Sequence, residues 1–169
     1  MSSPCLKSTQ LVSLFLAIFS LSCLINHVTA VPKLPSGEMG NILKKGGLEG
    51  FIRDQKKSGI LLEFYSEMCG SCKAFTPKLE ALHKKIKADK EDLPVYKVNI
   101  DDKEGMELAN QQNALEDGIP NFRVYTLDTT DKLQYKDLIE NEQRMDDSYD
   151  SPTKILTKVK AFLSQKNNR

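Results

Sequence analysis

The stretch ILLEFYSEMCGSCK, residues 60–73, decides how this sequence is expected to fold. Residues 60–66 form a near-continuous apolar run rich in strand formers, as expected of a central strand buried on both faces. Two cysteines follow, Cys69 and Cys72, separated by Gly70 and Ser71. Beyond them Cys72, Phe75, Leu79, Leu82 and Ile86 recur at helical spacing and make one apolar face. Pro77 falls inside that helix and predicts a kink. A buried strand therefore delivers a CxxC pair to the start of a helix. Such a pair serves as a redox couple, as half of a metal site, or as two buried thiols packed like small apolar groups.

The rest of the chain narrows the choice. It has 169 residues, 24 basic and 23 acidic, which suits one globular domain and argues against a nucleic-acid partner. The first thirty residues carry one charged side chain, Lys7, and then the apolar run LVSLFLAIFSLSCLI. The run ends at HVTA, with Val28 and Ala30 where a signal peptidase reads small or apolar residues. Its 15 residues include three serines, short of the ~20 needed to span a bilayer. Residues 1–30 are therefore read as a cleaved signal peptide, with no stable membrane insertion afterwards. Losing Lys7 leaves 23 basic residues against 23 acidic ones.

Cleavage also removes Cys5 and Cys23, two of the four cysteines. Any intramolecular disulfide then joins Cys69 to Cys72, in a loop too small to stabilise much by chain entropy. The pair is thus chemical rather than structural. A zinc site needs four ligands, and only two cysteines and His83 remain. Neither metal nor organic cofactor is expected. Thiol–disulfide exchange, by contrast, needs a thiolate and a second thiol to resolve the mixed disulfide. The N–H groups and partial positive charge of a helix start lower a thiol's pKa. Cys69, at that start, is the attacking thiol; Cys72, one turn in on the apolar face, is the resolving thiol. Gly70 is expected to keep Cys69 approachable and to allow a tight backbone turn.

Residues 31–46 read as a loose leader containing two prolines, with NILKK as a short edge strand. Residues 47–165 form the domain and 166–169 a tail. GLEGFIRDQKKSG is helical, LPVYKVNID a strand, KEGMELANQQNAL a helix, and DGIPNFRVYTLD a turn and strand. DTTDK turns the chain into the returning strand LQYKDLI. Ser151 caps a last helix that has Pro152 at its first position. The order is β-α-β-α-β-α-β-β-α, an α/β class. His83 is expected on the exposed side of the helix after the cysteines. The acidic stretch IENEQRMDDSYD, residues 139–150, reads as a solvated loop, with a partner or substrate contact as the other reading.

LLEFYSEMCGSCKAFTPKLEAL resembles the active-site segment of the thioredoxin superfamily, and most closely a protein disulfide isomerase-type thioredoxin domain. VYKVNID and GIPNF extend the likeness over most of residues 48–163. The resemblance implies a central mixed sheet flanked by helices and a protein thiol–disulfide oxidoreductase. It implies that Pro120 is a cis-proline packed against the active-site disulfide, with Ile119 before it facing a bound peptide. Glu63 matches a buried acid that shuttles protons for the second cysteine, and Lys97 a basic partner of that acid. Burial raises a carboxyl's pKa and fits it for acid–base work near neutral pH. Met68, Gly70 and Ser71 complete the substrate-facing set.

Three departures stand out. Met68 replaces the family's usual tryptophan, and the chain has no tryptophan at all. Gly70-Ser71 replaces Gly-His or Gly-Pro, so the thiolate lacks a histidine and the pair should be less oxidising than in isomerases. Asn121 replaces the usual threonine after the proline. The expected partners are proteins bearing thiols or disulfides, and the chain is expected to act as a monomer. Its expected place is the secretory pathway: the endoplasmic reticulum lumen or outside the cell, with no KDEL-type ending on QKNNR. Two other functions stay open: a binding or chaperone module using the Met68–Pro120 surface, and an interaction protein working through its acidic loop.

Overall fold

A computed structural model of the chain describes residues 30–44 and 46–165. The signal-peptide reading, apart from Ala30, and the C-terminal tail lie outside the described residues. The order is α1 (Ser36–Lys44), α2 (Gly47–Gln55), β1 (Ile60–Tyr65), α3 (Gly70–Ala88), β2 (Val95–Asn99), α4 (Lys103–Gln111), β3 (Asn121–Leu127), β4 (Leu133–Asp137), α5 (Asn141–Asp146) and α6 (Pro152–Ser164). No helix among the described residues is long and apolar enough to cross a membrane.

The strands form one mixed sheet in the order β2-β1-β3-β4. The apolar run at 60–65 takes a central place, parallel to β2 and antiparallel to β3, and every residue in it is buried. Its alternate side chains serve two cores. Leu61 joins Phe75, Leu79, Leu82 and Ile86 of α3 and Ile155, Leu156 and Val159 of α6 on one face. Ile60, Leu62 and Phe64 join Met39, Ile42, Leu48, Ile52 and Leu108 on the other. A near-continuous apolar strand is what two covered faces require.

Two readings of the leader are corrected. The described part of NILKK, Asn41–Lys44, belongs to helix α1, because Met39 and Ile42 stand three residues apart and both bury against the sheet. The edge pairing lies earlier, where Lys33 bridges Lys97 in parallel. The Leu34 N–H donates to the Lys97 carbonyl at 2.8 Å, and the Lys97 N–H donates to the Pro32 carbonyl at 3.0 Å. Val31 and Leu34 are buried, so this segment is part of the core rather than loose.

Helix α4 sits tight on the end of β2. A Cβ on Gly105 would lie 1.8 Å from the Asn99 carbonyl oxygen, so this position needs glycine for close approach. His83 is also corrected: it is 6% exposed, not on the open side of α3.

Candidate active site

The site grows from the end of β1. After Tyr65 the chain turns through Ser66 and Glu67, whose N–H donates to the Asp101 carboxylate at 2.9 Å. Cys69 is the N-cap of α3, with extended backbone (φ −78°, ψ 119°). Cys69 and Cys72 form a disulfide with their Cα atoms 5.3 Å apart. The Cys72 N–H donates to Cys69 Sγ at 3.0 Å. A sulfur thus occupies the place of a capping oxygen, where it meets both an orphan amide and the positive end of the helix. Cys72 is buried on the apolar face of α3, while Cys69 is half-buried.

Gly70 is exposed, its φ lies outside the left-handed region, and an added Cβ would meet nothing within 4 Å. The turn therefore does not require glycine, which corrects that part of its reading; its contribution is the open approach to Cys69. Helix α3 runs on through Pro77, and Thr76 Oγ1 donates to the Cys72 carbonyl at 2.9 Å.

Opposite the cysteines, the Ile119–Pro120 peptide bond is cis. Pro120 is buried and Ile119 half-buried. The Ile119 carbonyl oxygen lies 3.8 Å from Cys69 Sγ. The segment before the proline therefore borders the disulfide directly, and Met68, 90% exposed, borders it on the chain-entry side.

Beneath the site lie Glu63 and Lys97. They are direct partners in the β1–β2 register, and Glu63 also faces Phe122 across β3. Glu63 is fully buried. Lys97 Nζ approaches Glu63 Oε2 at 3.3 Å, an ion pair without the alignment of a hydrogen bond. Burial pushes the Glu63 carboxyl up from 4.5 to about 7, and the Lys97 charge offsets only part of that. The Lys97 ammonium sits 4.2 Å from the centre of the Tyr65 ring and 3.5 Å from Thr76 Oγ1, which ties the pair to the Cys72 turn of α3. Lys33 approaches the same ring at 5.7 Å and pairs with Glu67 at 2.7 Å, and that bond pushes its ammonium pKa up.

The acidic stretch 139–150 is not simply a solvated loop. It contains α5, which opens with a capping box between Glu140 and Gln143. Arg144 is buried and its Nε donates to the Pro120 carbonyl at 3.0 Å. Ser71 Oγ donates to the Arg144 carbonyl at 3.4 Å, and Tyr149 Oη donates to the Ser71 carbonyl at 3.1 Å. The Tyr149 ring meets Phe75 edge-on at 4.9 Å between centroids. Sequence reasoning missed Arg144 and Tyr149. The available signals were local: a capping pattern, and one arginine and one tyrosine standing alone among acids.

Sheet, helix-capping cysteine, cis-proline and buried carboxyl together define a thioredoxin-fold domain with a thiol–disulfide site. A thioredoxin family model matches residues 42–145, and the chain belongs to that family. Protein disulfide-isomerase A4 of Mus musculus is 31% identical over 83 residues, covering 49% of this chain and 12% of that protein. Probable nucleoredoxin 1 of Arabidopsis thaliana is 34% identical over 68 residues, covering 40% of this chain and 12% of that protein. The matches thus span about an eighth of each relative's length. The crystal structure of the Trx4 domain of ERdj5 superposes with a TM-score of 0.57 at 17% identity, covering 81% of this chain and 98% of that domain. A thioredoxin from Thermus thermophilus gives 0.50 at 16% identity, covering 79% of this chain and 87% of that one. At these identities the two structures bear on the fold alone.

Proposed function

We propose that this protein is a thiol–disulfide oxidoreductase acting on cysteines of other proteins in the secretory pathway. The observation that carries the reading is the Cys69–Cys72 disulfide, with its first sulfur on a helix-start amide. In the reducing direction the Cys69 thiolate attacks one sulfur of a substrate disulfide. That S–S bond breaks, a mixed disulfide forms, and the departing sulfur leaves as a thiolate that takes up a proton. Cys72 then gives its proton to the Glu63 carboxylate and attacks Cys69 Sγ, releasing the second substrate thiolate. Two electrons pass from the pair to the substrate, and Cys69–Cys72 is left oxidised; substrate oxidation runs the same steps backwards.

A group that ionises near 7 holds or yields a proton at small cost, which supports Glu63 in this role. The Lys97 charge favours the carboxylate form of Glu63. Ile119 and Pro120, with Met68, Gly70 and Ser71, form the surface on which an extended substrate segment lies. The signal-peptide pattern of residues 1–30 supports the compartment. A monomer is the form in which the disulfide face is open to such partners.

The test is trapping and exchange with glutathione. Cys72→Ser should accumulate mixed disulfides through Cys69, while Cys69→Ser should form none and lose turnover. A Cys69→Ser protein that kept full biological activity would instead point to a binding module. A pair that never exchanges with glutathione removes the oxidoreductase reading.

A further inference from the structure

The edge segment before α1 places a second lysine beside the buried pair. Lys33 bridges Lys97 in parallel, so the two side chains are neighbours across the strands. Both ammonium groups rest on the Tyr65 ring, Lys97 at 4.2 Å from its centre and Lys33 at 5.7 Å. Like charges in such neighbouring positions repel. Here each has its own carboxylate: Lys97 meets Glu63 at 3.3 Å, and Lys33 meets Glu67 at 2.7 Å. Two ion pairs thus share one ring.

The pairs differ in their surroundings. The Lys97 side chain is 13% exposed and Glu63 is fully buried, whereas Lys33 and Glu67 are 61% and 62% exposed. Facing a buried carboxylate costs a lysine more hydration than facing an exposed one. A vacant Glu67 would therefore compete with Glu63 for Lys97. Asp101, which accepts the Glu67 N–H at 2.9 Å, adds a further negative charge on the outer side. In this structure Lys33 occupies Glu67, and its like charge stands on the outward side of Lys97.

We propose that Lys33 is a positioning residue: by engaging Glu67 it keeps the Lys97 ammonium turned inward on Glu63. The inference rests on the proposed proton transfer through Glu63 and adds the edge segment to that machinery. Without Lys33, Lys97 turns out to Glu67, and Glu63 loses its counter-charge and keeps its proton to higher pH. The other groups around the pair, Phe122 of β3, Tyr65 of β1 and Thr76 of α3, carry no charge near neutral pH to replace it.

The test follows ionisation of Glu63 by carbon NMR of the oxidised protein labelled at glutamate carboxyls, where turnover plays no part. Glu63→Gln assigns the signal. The native midpoint is expected at about 7. Lys33→Met should raise it by about one pH unit, the effect of losing an opposite charge at contact range. Glu67→Gln should move it by less than about 0.3, because an exposed charge acting directly is screened. The double variant should return to the native midpoint, since no vacant carboxylate then draws Lys97 out. Both side chains are exposed, so neither substitution opens the core. The pH midpoint for resolution of the mixed disulfide should follow Glu63 in all three variants. A Glu63 midpoint unmoved by Lys33→Met, or one moved equally in the double variant, would overturn the proposal. A Glu63 midpoint that moves as expected while resolution keeps its native pH dependence upholds the positioning by Lys33 and removes the proton role of Glu63, so the two failures are distinguishable.

Discussion

Replacing Glu63 by glutamine should make the protein more stable at alkaline pH and leave its relative stability lowest in acid. Glutamine keeps the shape of the side chain and removes its titration. In the folded protein the Glu63 carboxyl has been pushed from 4.5 to about 7, mainly by burial. Between those two values the native state holds a proton that the unfolded chain has released. Native stability therefore falls as pH rises through this window, by about 1.4 kcal/mol per pH unit. The stabilisation is fully present below 4.5 and gone above about 7, a total of about 3 kcal/mol. The attraction of Lys97 at 3.3 Å is already contained in the value of about 7.

Urea unfolding of the oxidised protein across the acid-to-alkaline range measures this directly. Groups that do not sense the Glu63 charge titrate alike in both proteins and cancel in the difference, and Tyr65, which does sense it, is pushed up from 10 and titrates above this window. From the acid side of the window to the alkaline side, Glu63→Gln should gain about 3 kcal/mol relative to the native protein. A difference that stays constant within about 0.5 kcal/mol would refute the buried, proton-holding carboxyl. The same variant probes the proposed proton transfer. Resolution of the mixed disulfide should slow and lose its dependence on pH near 7, while attack by Cys69 on a small disulfide should change little.

Three further expectations follow from packing. Gly105→Ala puts a Cβ at 1.8 Å from the Asn99 carbonyl and should cost about 3 kcal/mol or more in chemical unfolding; a cost below about 1 kcal/mol would contradict the close approach of α4 to β2. Leu34→Ala should cost about 2–4 kcal/mol and open residues 31–35 to proteases, because Leu34 is buried in the core. A neutral result in both assays would return that segment to a loose leader. Tyr149→Phe keeps the ring on Phe75 but removes the donor to the Ser71 carbonyl at 3.1 Å. It should cost about 1 kcal/mol and speed amide exchange in the 140–150 segment, and unchanged exchange there would count against Tyr149 as an anchor.

What could be read from the sequence was what neighbouring residues determine together. The 60–65 run, the apolar stripe of α3 and the cap of α6, where Ser151 Oγ accepts from the Lys154 N–H at 3.3 Å, are all patterns within a few turns of chain. The cysteine pair belongs to the same class, since strand, motif and helix are contiguous. His83 was legible too: it lies four residues after Leu79 and three before Ile86, squarely on the stripe that buries. Its polarity, not its position, misdirected the reading. The edge bridge at Lys33 was hidden for a different reason. It is made by backbone groups of residues 32, 34 and 97, and no side-chain alternation marks it. Arg144 and Tyr149 were hidden more deeply still. Besides local bonds to Asn141 and Asp147, Arg144 and Tyr149 reach partners 24 and 78 residues back in the chain, and each of those distant partners is a carbonyl that every residue carries. A run of acids reads as solvated because most charges face water. An arginine within it can turn inward only where the fold brings a carbonyl to meet it, as the Pro120 loop does here. That meeting is tertiary, and no pattern within the stretch itself announces it.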